Sequence, residues 1–251
     1  MESWLMVLRQ RPILYVAVFS LVFRVIHRLL QYLPRPTAVD RHPWRTWKWK
    51  NLSVSLVHSL LTGTWAIACV VQYPVMVHEM YSTFTPLSYL LVIVSSGYFI
   101  QDAGDIILSG FVRESWEFLL HHVLVIWCFM YALLTSHYVA GAVVALFVEV
   151  NSVFLHTRLL LKLADVASNS SIFVINKLLN VVTYVTFRLG AQFFITWYII
   201  QNYSWLDHAL YFLVTMILMN IMILIYFYRL LRADFFSKHS RQNGMHKLVK
   251  D

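Results

Sequence analysis

Seven long apolar runs constrain this chain before anything else does. They fall at roughly 12–30, 52–73, 87–109, 117–135, 139–161, 178–200 and 207–229. A run of about 18 apolar residues or more is long enough to cross a bilayer as a helix, and in lipid every backbone polar group must be satisfied within its own segment. The expected fold class is therefore all-α: a polytopic transmembrane helical bundle of about seven spans. The first run is the least regular, because Arg24 and His27 interrupt it. Composition agrees with the spans. The 251 residues are 59% hydrophobic and 13% charged, where a soluble domain has about 45–50% and roughly 25%. Disorder is excluded by that hydrophobicity. With two cysteines, Cys69 and Cys128, each inside an apolar run, a disulfide scaffold and a cysteine zinc site go too.

The links between runs are short and carry the breakers Pro34, Pro36, Pro43, Pro74, Pro86 and the Asn169-Ser170-Ser171 stretch, with no internal repeat. No cleaved leader is expected, since Arg9 and Arg11 precede the first run and no small-residue cleavage site follows it. Basic residues alternate between links. Arg35, Arg41, Arg45, Lys48 and Lys50 follow the first run, Arg113 the third, and Arg158, Lys162 and Lys177 surround the fifth link. Arg229, Arg232, Lys238, Arg241, Lys247 and Lys250 end the chain, while the second, fourth and sixth links hold neither Lys nor Arg. By the positive-inside rule the basic links and the C-terminus are expected in the cytosol. The net charge of +8 is then an orientation signal and an attraction to anionic headgroups. Nucleic acid is not an expected partner. The sequons at Asn51 and Asn169 face the cytosol on this topology, and that at Asn202 lies in a turn close to the membrane.

Ionisable side chains inside a span are costly unless they face the bundle interior and find partners. The ionisable residues so placed are His58, Asp102, Asp105, His121, His122, Glu149, His156 and Arg188, and the polar Asn151 stands among them. Asp102 and Asp105 are three apart on one helical face. Glu149, Ser152 and His156 form a stripe along the fifth span, and Asn180, Tyr184, Arg188 and Gln192 step by four along the sixth. Facing stripes predict a polar chamber open toward the cytosolic leaflet, with Arg188 able to pair with Glu149 or Asp102. Gly97, Gly104, Gly141 and Ala145 are expected as close-packing positions between helices. Adjacent histidines point about 100° apart on a helix, so chelation of one ion by both is disfavoured. No metal and no cofactor is expected.

Taken together, these residues resemble the TLC-domain membrane proteins, named for TRAM, Lag and CLN members, and within them the small subgroup that includes calfacilitin. The resemblance rests on the pair His121-His122 opening a central span, with Glu149 about 27 positions later in Glu149-Val-Asn151-Ser-Val-Phe-Leu-His156-Thr-Arg158. It also rests on Gly97-Tyr-Phe-Ile-Gln-Asp102-Ala-Gly-Asp105, Arg45-Thr-Trp-Lys-Trp-Lys-Asn51 and Phe187-Arg188-Leu189. It implies an N-terminal span and basic link over 1–41, a TLC domain over 42–235 with a six-helix core, and a basic cytosolic tail over 236–251.

For function, the resemblance implies a regulator of membrane phospholipid acyl composition and fluidity at the plasma membrane rather than the endoplasmic reticulum, tuning the incorporation of polyunsaturated phospholipids. Its partners would be membrane phospholipids, acyl-CoA or fatty acyl chains. An alternative is an acyl-CoA-dependent acyltransferase related to the ceramide synthases, with His121, His122 and Glu149 catalytic. In those enzymes two aspartates stand three apart, where this chain has Glu149 and Ser152. A further alternative is an accessory modulator of an ion channel. The expectation is a chain that is not itself an enzyme.

Overall fold

The computed structural model describes residues 2–30 and 32–236, so most of the basic tail over 236–251 lies outside the described residues. The described residues form helices joined by short links, with no strand among them, and seven of the helical stretches are long and apolar enough to cross a membrane. A short helix α1 (Glu2–Gln10) precedes the first span, α2 (Pro12–Leu30). The second span is α3 (Pro43–Gln72), followed by a single turn α4 (Val75–His78) and the third span α5 (Pro86–Leu108). The fourth is α6 (Val112–Thr135), and the fifth is divided into α7 (Val139–Ala145) and α8 (Val148–Leu163). The sixth joins α9 (Ser171–Thr183) to α10 (Gly190–Gln201) through a π-helical turn, Tyr184–Leu189, and the seventh is α11 (Ala209–Leu231), ending in a second π-helical turn, Arg232–Phe236.

Local chemistry sets several of these ends. Pro43 opens α3, and the His42 ring accepts a hydrogen bond from the Trp44 amide at 3.2 Å. Thr85 and Ser88 exchange side-chain and backbone hydrogen bonds as a capping box, with Pro86 at the first helical position of α5. The α3 helix starts well before the apolar run at 52. Its 30 residues span about 45 Å at about 1.5 Å each, against a hydrocarbon core of about 30 Å. Its first turns, with Arg45, Lys48 and Lys50, therefore reach beyond the core. The sixth span likewise begins at Ser171 rather than 178.

Helix α5 is the central element, buried along most of its length. It packs on α2, α3, α6 and α7, while α3 lies along α8. Two backbone approaches fix this geometry. A Cβ at Gly97 of α5 would stand 2.8 Å from Phe19 Cβ and from the Ser20 nitrogen of α2. One at Gly63 of α3 would stand 3.0 Å from the Val150 nitrogen and 3.2 Å from the Glu149 carbonyl carbon. Among the expected close-packing glycines, only Gly97 carries such a contact. Gly141 packs against Met80, to whose carbonyl its amide donates at 3.3 Å. Gly104 has nothing within 4 Å, a correction, because spacing alone cannot tell a glycine at a crossing from one facing open space.

The outer faces are apolar as well: Trp127 of α6, Leu178 of α9 and Leu210 of α11 are exposed. That surface suits lipid, which offers no penalty for apolar exposure. The protein is a multi-pass membrane protein. At the basic end, ion pairs tie the links together. Arg45 donates to Asp165 at 2.7 Å and to the Leu163 carbonyl at 2.6 Å, and Arg41 reaches Asp165 at 3.0 Å. The Arg45 guanidinium holds the Asp165 carboxyl below the usual carboxylate range.

Candidate functional site

The spans leave a cavity of about 340 Å³ at the end of the bundle where α3 begins and α5 ends. Its wall draws on α3, α5, α6, α8, the π-helical turn of the sixth span and α11. Local backbone irregularities aim side chains into it. Between α7 and α8 the ladder tightens to i→i−3 bonds, Phe147 to Val144 and Glu149 to Leu146, and the close approach of Gly63 brings α3 against this break. There Glu149 is buried and accepts a hydrogen bond from the Ser59 hydroxyl at 2.6 Å, with His58 Nδ1 at 3.8 Å. On α5, buried Asp102 accepts from Asn51 Nδ2 at 2.5 Å and stands 3.5 Å from His122 Nδ1. The His121 and His122 rings are 5.6 Å apart, and His122 packs against Phe99 at 5.4 Å. The Nδ1 atoms of His122 and His156 are both buried without a hydrogen-bond partner.

The sixth span supplies Arg188. Its Nε donates to Asn151 Oδ1 at 2.8 Å and its Nη2 to Ser152 Oγ at 2.7 Å. Asn151 in turn donates to the Asn180 carbonyl at 2.9 Å and to Thr183 Oγ1 at 3.1 Å. The arginine is therefore held by neutral groups. The ion pair expected with Glu149 or Asp102 is not formed, because Asn151 and Ser152 occupy the guanidinium and each carboxylate is met by a neutral donor on α3.

The TLC-domain family profile matches residues 48–232, a stretch that contains every wall residue of this cavity except Trp47 and Ala233. The chain is a TLC-domain membrane protein. It is 40% identical over 220 residues to TLC domain-containing protein 1 of Homo sapiens, covering 88% of this chain and 89% of that one. It is also 40% identical over 227 residues to TLC domain-containing protein 2 of Danio rerio, covering 90% of each.

In this TLC-domain protein, six of the nine residues singled out by sequence line the cavity: Asp102, His121, His122, Glu149, His156 and Arg188. Three stand elsewhere. His58 lies behind the wall, fully buried, stacked on Tyr98 at 3.8 Å. Asn151 is the link between Arg188 and Asn180. Asp105 faces away from Asp102 toward the first spans, accepting from Arg24 Nη1 at 2.8 Å and from Trp47 Nε1 at 2.9 Å. Three residues along a helix turn about 300°, enough for neighbouring carboxylates to choose different partners. Gln192, one turn beyond Arg188 along the sixth span, lines a smaller apolar cavity of about 80 Å³ with Leu124, Cys128 and Met219.

Sequence reading missed Tyr98, Ser59 and Lys48. Tyr98 stands four residues before Asp102, so helical spacing marks it; its hydroxyl donates to Ser55 Oγ at 2.8 Å. Nothing in the pattern separates Lys48 from the other basic residues of its link. Among the described residues no group of three or more His, Cys, Asp or Glu could hold a metal ion. Chemically, the site offers an imidazole beside a carboxylate, an arrangement able to accept a proton or orient a polar guest.

Proposed function

We propose that this TLC-domain protein regulates the acyl composition of membrane phospholipids, limiting or tuning the incorporation of polyunsaturated species and so the fluidity of the membrane. The observation that carries the reading is the cavity itself. Buried carboxylates, imidazoles and an arginine inside a membrane protein mark a place for the polar part of a guest, and His156 holds a buried Nδ1 there without a hydrogen-bond partner. The apolar cavity lined by Leu124 and Cys128, further along α6, suits an acyl chain. We assign the protein to the plasma membrane from its resemblance to the calfacilitin-like subgroup, with the basic end and the C-terminus in the cytosol. A tag in the 74–86 link should be labelled in intact cells and a C-terminal tag only after permeabilisation; the reverse pattern would invert the orientation.

Lipidomics of cells with and without the protein tests the function. Its removal should raise the polyunsaturated share of phospholipids, and re-expression should restore it. An unchanged profile would sink the reading. A second reading, acyl transfer from acyl-CoA, is favoured by the Asp102–His122 pair at 3.5 Å, which places a general base beside an orienting carboxylate. Purified protein supplied with acyl-CoA and sphingoid amines should form no ceramide, because Ser152 stands where the synthases carry their second acid and is engaged by Arg188. Ceramide above background, lost on changing His121 and His122 to Ala, would favour the enzyme.

A further inference from the structure

We propose that the mouth of the chamber is a binding site for a phosphate group carried by an amphiphile, with Lys48 as the cation left free to take it. The proposal deepens the lipid reading and rests on it. Five Lys and Arg side chains line the cavity, Lys48, Arg158, Lys162, Arg188 and Arg229, against two carboxylates, Asp102 and Glu149. Three of the cations are already engaged. Arg158 and Lys162 meet Asp234, Arg158 Nε at 2.8 Å and Lys162 Nζ at 3.9 Å, and Arg229 meets Glu117 at 2.8 Å. Arg188 is held by neutral partners. Asp102 and Glu149 are bonded to Asn51 and Ser59, and neither has a wall Lys or Arg within 4 Å, although the charge of Asp102 acts on Lys48 and that of Glu149 on Arg188.

Lys48 differs from all of these. Among the described residues its ammonium forms no ion pair and no hydrogen bond. It stands over the rings of Phe118 at 4.9 Å, Trp47 at 5.8 Å and Trp44 at 5.9 Å. Such rings fix a cation and stabilise it without neutralising it. Its donors remain available to an acceptor in the cavity. A compact ammonium is a point-charge ligand for phosphate. The choice of phosphate over carboxylate follows from charge: Lys162, also on the wall, is the most loosely paired of the engaged cations at 3.9 Å, and a phosphate monoester brings up to two negative charges and three acceptor oxygens where a carboxylate brings one charge and two. Height agrees. Lys48 lies in the first turns of α3, beyond the hydrocarbon core, where headgroup phosphates sit.

The test uses the full purified chain in a neutral maltoside detergent. Equilibrium binding is measured for palmitoyl lysophosphatidate, palmitoyl-CoA, palmitate and monopalmitoyl glycerol, with inorganic phosphate as competitor. One charge-assisted hydrogen bond contributes about 1.5–3 kcal/mol, so a phosphate-bearing ligand should bind roughly 10- to 100-fold more tightly than monopalmitoyl glycerol. K48Q should erase that advantage while leaving the glycerol ester unchanged, which serves as the internal reference for folding, and K48R should retain most of it. K50Q removes the same charge from the same helix outside the cavity wall and should change nothing. Preference for lysophosphatidate names a lipid headgroup as the source, preference for palmitoyl-CoA a nucleotide phosphate, and displacement by inorganic phosphate a site that needs no tail; each supports the phosphate site. Palmitate binding as tightly as lysophosphatidate, or K48Q leaving every affinity unchanged, overturns it. In that case binding of all four amphiphiles still leaves the lipid chamber standing, whereas binding of none removes both.

Discussion

Gly97→Leu should separate the first span from the bundle, with a loss of about 3 kcal/mol or more, at the upper end of the cost of overpacking. Even a Cβ at this position would stand 2.8 Å from the Ser20 nitrogen, and backbone cannot turn aside as a side chain can. The whole of α2 must move. With it go Phe23, whose ring meets His58 at 5.8 Å and Tyr98 at 5.3 Å, and Arg24, which bonds Asp105. The effect should therefore reach the wall of the chamber, of which Tyr98 is part. At Gly104, seven residues on in the same helix, a Cβ would meet nothing within 4 Å, so Gly104→Ala should stay within about 0.5 kcal/mol, as for a surface substitution. Thermal unfolding of the two variants in detergent checks the pair. Equal melting temperatures would mean that α2 does not rest on α5 at Gly97.

Arg188→Met should be the most damaging single change in the chamber wall. It removes two short hydrogen bonds, to Asn151 Oδ1 at 2.8 Å and Ser152 Oγ at 2.7 Å, from groups that are themselves buried. Bonds to a charged donor contribute about 1.5–3 kcal/mol each, and the orphaned acceptors add desolvation. Removing a cation from the interior offsets part of this, leaving a net loss of about 3 kcal/mol and a fall in melting temperature of roughly 5–10 °C. Arg188→Lys keeps the charge but not the fork that serves Asn151 and Ser152 together, so it should fall between the two. Rescue by Lys to the wild-type melting temperature would show that the charge matters and the paired geometry does not.

The seven spans were legible in the sequence because hydropathy over some 20 residues reports directly on transfer into lipid. The polar side chains that line the cavity were legible for the same reason: a His, Asp, Glu or Arg inside an apolar run needs an interior partner. Which partner was not legible. Asp102 and Asp105 share a sequence face, yet one meets Asn51 and the other Arg24 and Trp47, because the crossing of α2 and α3 over α5 decides what each carboxylate reaches. Gly97 and Gly104 read alike, and only the approach of α2 distinguishes them. Gln192 comes one helical step after Arg188, yet lines a different cavity, because the packing of the helices divides the interior along its depth. Lys48 was one basic residue among several until Trp44, Trp47 and Phe118 closed around it. Sequence determined what had to be buried, since burial is a property of each side chain and its solvent. Tertiary structure decided what each buried group would meet, since that depends on helix crossings and local changes of pitch that no single segment contains.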